Sequence, residues 1–256
     1  MLRTTLCLPA ASFVTSYADP VSREAPALYE TDLKPLLTAA EPLLKKPASR
    51  ESADKGGEVV LLEQIVHVDD AARRWEVSHS IYRATAESGV EAIPRDVEHF
   101  HKKRSRILLP LARTVQEDGR SLPVRGEAAF IQTPPRSADA DLCDDQGELV
   151  VIYPDIKKGS AAESIVLREE VESRIPGQFT MMRSFSAGWP IVKDRFVLEM
   201  PRALAERARF TTLGSGVPEP VRLETAGGAR VRAFPPSAPA RPPMSAPPWM
   251  SCRTAS

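Results

Sequence analysis

Between Glu148 and Leu204 the chain reads ELVVIYPDIKKGSAAESIVLREEVESRIPGQFTMMRSFSAGWPIVKDRFVLEMPRAL. Three strand patterns lie in it: an apolar run at Leu149–Tyr153, an alternating run at Ser164–Glu172 and another at Ile191–Met200. Side chains along a strand point to opposite faces with period two. Ile165, Leu167, Glu169 and Val171 therefore share one mainly apolar face, and Ser164, Val166, Arg168, Glu170 and Glu172 share a wetter one. In the third run Phe196, Leu198 and Met200 share a face opposite Lys193, Arg195, Val197 and Glu199. Pro154 with Lys157-Lys158-Gly159-Ser160, and Pro176-Gly177, supply turns, since proline cannot donate to a ladder and glycine accepts positive φ. The stretch predicts antiparallel β-sheet.

Working outward, Glu58 opens a β-prone run, EVVLLEQIVHV, that turns at Asp69–Ala72 and returns over Arg73–Thr85. Val97–Phe100 reads as a short edge piece. Ile107–Gln116 precedes Asp118-Gly119, a hairpin-turn signal whose partner strand is expected within Ser121–Ile131. Gln132–Gln146 is a loop rich in Pro, Ser and Asp. Arg207–Leu213, Val221–Thr225 and Ala229–Phe234 are weaker strand candidates beyond it. Ahead of the β-rich body, Asp32–Lys46 has leucines at helical spacing, with Pro42 expected to kink the helix, and Lys46–Gly57 reads as a polar linker. The expected organisation is a flank at 1–57, a β-rich domain at 58–234 and a Pro-rich extended tail at 235–256. The expected fold class is mainly β, an antiparallel two-layer or sandwich-like sheet with a short helical N-terminal flank.

The chain of 256 residues carries 34 Lys plus Arg against 34 Asp plus Glu, so no global field recruits nucleic acid or an anionic membrane. No run approaches the roughly 20 apolar residues that span a bilayer. Cys7, Cys143 and Cys252 are too scattered for a zinc site or a disulfide framework. Arg3, the apolar Leu6–Val14 and Ser16-Tyr17-Ala18 have the order of a secretory signal cleaved after Ala18. That reading sends the protein to the periplasm or the exterior; the other makes the segment a simple extension of a cytoplasmic protein.

The order of a strand and its return, the TVQEDGRSLPV hairpin, LVVIYPDIKKGSAAE and PGQFTMMRSFSAGWPIVKDRFVLEMPRAL resembles a bacterial domain of unknown function, DUF3857. Its most specific pieces here are PDIKKG at Pro154–Gly159, Trp189-Pro190 and Met200-Pro201. The resemblance implies a domain placed ahead of a transglutaminase-like domain, whose papain-type site would hold Cys, His and Asp in that order. Only Arg253-Thr254-Ala255-Ser256 follow Cys252 in the sequence, offering no base to activate that thiol. The chain is therefore expected to be a non-catalytic accessory or interaction domain. The alternatives are a fragment of a transglutaminase-like cysteine protease or acyltransferase, and a carbohydrate- or peptide-binding β-sandwich.

Other constellations carry less. His99 and His101 share a strand face and would need His67 or His79 to complete a metal set; a solvated edge explains them without one. Lys102, Lys103, Arg104 and Arg106 lack interleaved aromatics and read as a charged edge that resists aggregation. Asp139, Asp141, Asp144 and Asp145 lack the spacing of a calcium loop and read as a solvated acidic loop. Trp75, Trp189, Phe179 and Phe185 are the candidate lining of a peptide or glycan groove, with core packing as the competing role. No GxSxG elbow, GxGxxG or Walker loop occurs, so no cofactor is expected, and the partner is a protein, peptide or glycan of unknown identity.

Overall fold

The computed structural model describes residues 37–134, 145–173, 175–185, 188–211, 221–225 and 228–233. The signal-like segment, Asp32, the three cysteines, Asp139, Asp141, Asp144, Phe234 and the Pro-rich tail lie outside them. The expected first hairpin is present: β1 (Gly57–Val68) pairs antiparallel with β2 (Arg74–Ala84), with Glu63 opposite His79 and His67 opposite Trp75. After α3 (Glu87–Ala92) come β3 (Arg95–His101), β4 (Ser105–Val115) and β5 (Ser121–Pro123). A 3-10 turn at Gly126–Ala128 leads into β6 (Ala129–Gln132), followed by β7 (Gln146–Ile152), β8 (Ala161–Glu170) and β9 (Asp194–Met200). Then α4 (Arg202–Arg207), β10 (Val221–Thr225) and β11 (Gly228–Ala233) complete the described chain. Among the described residues no helix is long and apolar enough to cross a membrane.

The fold is mainly β, in two sheets. Eight strands take the order β10-β11-β9-β1-β2-β8-β4-β5, and three form a smaller sheet in the order β3-β7-β6. Every named pair is antiparallel except β1 with β9, which run parallel in the middle of the large sheet. A parallel pair needs a long crossover, and here the whole of β2 to β8 provides it. The smaller sheet covers β2, β8 and β4 through a core that includes Phe100, Ile107, Leu149, Val151, Ala162 and Val166. On the same side, Val66, Val68, Phe196, Leu198 and Met200 pack under α4 and residues 179–185, so the apolar face expected for the third run is a core face.

Several expectations are corrected. The face assigned as wet in β8 includes Val166 and Ser164, both buried, while Glu163 and Glu169 are buried on the opposite face. Because β8 lies between β2 and β4 and is covered on both sides, its alternation does not separate core from solvent. The supposed linker contains α2 (Arg50–Lys55), N-capped by Ser49, whose Oγ accepts from Ser52 N at 3.1 Å, and closed by Gly56 at φ 83°. Only a short helix, α1 (Glu41–Leu44), is described in the leucine-rich segment, and Pro42 sits in its first turn, where no donor is lost. The strand expected after Asp118-Gly119 stops at Pro123, and the chain then joins the other sheet as β6. Arg207 ends a helix instead of starting a strand.

Candidate functional site

The face of the large sheet that looks toward the N-terminal flank, opposite the smaller sheet, carries a row of charges over five neighbouring strands. Register places Glu63 opposite both His79 and Arg195, and Glu163 opposite Arg113. His79 Nε2 lies 3.0 Å from Glu163 Oε1, and its Nδ1 lies 3.6 Å from Glu63 Oε2. Arg113 Nε donates to Glu163 Oε2 at 2.7 Å, and Arg195 pairs with Glu63. Thr38 closes the row from the flank, its N–H donating to Glu63 Oε2 at 2.9 Å and its hydroxyl to Oε1 at 2.8 Å. Burial pushes the Glu63 carboxyl up, but His79, Arg195 and Thr38 together bring it down to about 2. Glu163 is likewise held below its ordinary range against burial, by His79 and Arg113. Burial disfavours a charged His79, yet the two flanking carboxylates raise its pKa. The signs alternate, Arg, Glu, His, Glu, Arg. This imidazole is engaged by a carboxylate on each side.

A second polar region lies between the layers. Gln64 Nε2 donates to Glu76 Oε1 at 2.6 Å, and Arg183 Nη1 donates to Gln64 Oε1 at 3.0 Å while pairing with Asp194. The same guanidinium stands 5.4 Å from the Phe185 ring centroid and 5.7 Å from that of Phe196. Across from it, Arg168 Nη2 donates to Glu98 Oε2 at 3.0 Å. Burial pushes the Asp96, Glu98 and Asp194 carboxyls up, and pushes the Tyr82 hydroxyl up to about 12.

The four candidate aromatics divide between places. Phe179 and Phe185 pack on the same core around Phe196. Trp189 packs on the core between the sheets, its ring close over Gly57. Trp75 stands beside His67, with centroids 5.9 Å apart, under the Arg73 guanidinium. The histidines are also dispersed: His99 faces Glu148 at 3.5 Å on β3, an outer strand of the small sheet as expected, His67 faces Glu199 at 3.7 Å, and His79 is interior. Among the described residues no group of three or more His, Cys, Asp or Glu is arranged to hold a metal ion. Lys102 donates to Thr133, and Lys103 pairs with Asp145.

A cavity of about 1120 Å³ opens where the flank meets the large sheet. One wall is Lys45–Arg50 and Ala53, the floor includes Arg83, Thr85 and Ala161, and the other wall is Val115–Glu117 with Lys158 and Gly159. Both walls are fixed. Arg83 Nη1 donates to Lys46 O at 2.7 Å and to Glu58 Oε1 at 2.9 Å, and its Nη2 to Leu44 O at 2.7 Å. Opposite, Gln116 Nε2 donates to Asp155 O at 2.8 Å, the Ser160 hydroxyl to Gln116 Oε1 at 2.8 Å, and Thr114 Oγ1 to Pro154 O at 2.7 Å. Gly159, at φ 84°, ends this loop on Glu117, which leaves no room for a Cβ. The sequence reading missed the cavity. PDIKKG was visible as a motif, but the flank that faces it carries no pattern pointing across a distance of a hundred residues.

With this geometry in view, comparison with known proteins gives a family and a fold likeness. The model of the family described as "Domain of Unknown Function with solved-structure structure (DUF3857)" matches residues 73–234. No curated protein matches the sequence. Among solved structures, a "putative protease" from Parabacteroides distasonis shares 13% identity at a TM-score of 0.58, with 73% of this chain and 37% of that chain covered. An M1 zinc metallopeptidase from Deinococcus radiodurans shares 11% identity at a TM-score of 0.33, with 71% and 39% covered. The chain thus spans well under half the length of either protein.

Proposed function

Since the chain belongs to the DUF3857 family, we propose that it acts as a non-catalytic accessory or interaction domain of the type found ahead of transglutaminase-like domains. The observation that carries this reading is its likeness in fold to 37% of a longer chain described as a "putative protease". A second support is chemical. The buried imidazole, His79, is committed to two carboxylates, an arrangement that holds charge rather than activating a hydroxyl or thiol. The purified chain, incubated with peptide substrates and with glutamine-donor and amine-acceptor pairs, is expected to give neither hydrolysis nor cross-linking. Turnover by the chain alone overturns the proposal.

The same share of a longer protein favours one other reading, in which this sequence is a piece of a transglutaminase-like cysteine protease or acyltransferase. Intact mass in the native cell separates the two. A protein near 28.1 kDa supports an accessory domain acting on a separate partner, and a much larger one places the catalytic half on the same chain.

A further inference from the structure

We propose that the cavity between the N-terminal flank and the Pro154–Gly159 loop binds a small multivalent oxyanion, one bearing at least two phosphate or carboxylate groups. The inference is independent of the accessory role. Besides Arg83, four cationic side chains, Lys45, Lys46, Arg50 and Lys158, line this one cavity against a single carboxylate, Glu117. All four are exposed, and none forms an ion pair with a described residue. Elsewhere Lys103 is neutralised by Asp145 and Lys157 by Asp155, while Arg83 in the cavity floor is neutralised by Glu58. Cations unpaired among the described residues, such as Lys55, Arg95 and Arg125, also stand elsewhere; at this cavity four of them line one concavity, although the chain as a whole has no net charge.

Like charges held together repel, and a multivalent anion relieves that repulsion at several positions at once. Lysine ammonium groups on flexible stems suit phosphate or carboxylate oxygens as point charges, and Arg50 adds a planar fork that can bind two of them. The cavity's frame is preorganised: the backbone bearing Lys45 and Lys46 hangs from Arg83, and that bearing Lys158 hangs from Gln116 and Ser160. Only the cationic tips need to be ordered on binding, which limits the entropic cost.

Isothermal titration of the full chain with pyrophosphate and, separately, with citrate tests this. Saturable one-site binding to either probe at ~20 mM salt, weakened at ~150 mM, is expected, and the tighter probe identifies phosphate or carboxylate as the preferred group. Lys158→Ala and Arg50→Ala, from opposite walls, are each expected to weaken binding by roughly threefold to tenfold. Lys103→Ala, on a cation paired outside the cavity, is expected to leave it unchanged, with circular dichroism confirming that all three variants stay folded. Absence of saturable binding to both probes, or equal weakening by Lys103→Ala and Lys158→Ala, overturns the proposal.

Discussion

His79 is 3% exposed and lies between Glu63 and Glu163, with Arg195 and Arg113 at the ends of the row, so its proton links five strands. Its folded pKa is raised above 6.5, so its contribution to stability is full below that value and is lost as pH rises through the raised one. Glu63 has the opposite sign. Its folded value of about 2 lies below the ordinary 4.5, so its contribution is full above 4.5 and is lost as pH falls toward 2. The row is complete between these limits. The midpoint of urea unfolding is expected to fall as pH is raised above 6.5, and His79→Gln is expected to flatten that fall while costing about 3 kcal/mol at pH 6, because two buried carboxylates lose their shared cation. An unchanged alkaline slope in the variant would assign the effect to another group. None of this was legible beforehand: Glu63 and Glu163 have the composition of solvent-facing strand residues, and only register brings them to His79.

At the scale of elements, what the sequence reveals depends on whether an element is defined locally. The β1–β2 hairpin was legible because both strands carry strong β-formers on either side of a polar turn, and the outer position of β3 was legible from its charges. The helix α2 was overlooked even though Ser49 and Gly56 are cap residues, because Pro47 and the Gly pair suggested a linker. The two-sided burial of β8 could not be read locally, since it depends on which strands lie beside it. The junction of α2 with α3 yields a prediction at this scale. A Cβ on Gly89 would lie 2.0 Å from Gly56 O, and that oxygen already accepts from Thr85 N at 3.0 Å and Ala86 N at 3.1 Å. It cannot retreat without breaking both bonds. Gly89→Ala is expected to destabilise the protein by about 1–3 kcal/mol through overpacking. A thermal melt would then shift down by about 3–10 °C, and an unchanged Tm would mean that α3 moves aside freely.

Across the whole molecule, β1 occupies the position on which the large sheet depends, between β9 on one side and β2 on the other. The family match begins at residue 73, after β1 has ended at Val68. Trimming the chain to 73–234 would divide the sheet into β10-β11-β9 and β2-β8-β4-β5. It would remove the buried Val59, Leu61 and Val66, leave Ile81 and Val197 without that covering, and separate His79 and Arg195 from Glu63. Two unpaired strand edges in a sheet interior are also a template for aggregation. A chain of 73–234 is therefore expected to lack a cooperative thermal transition and to bind a hydrophobic dye. A chain of 57–234 restores β1 and is expected to melt cooperatively, though below the full chain, because it lacks Ala40 and Leu43 over Leu61 and the Thr38 bonds to Glu63. If 73–234 melts as sharply as 57–234, β1 is an addition to a fold that stands without it. If only the longer chain does, β1 is an integral part of the folding unit, and the ionic row is assembled only when β1 is present.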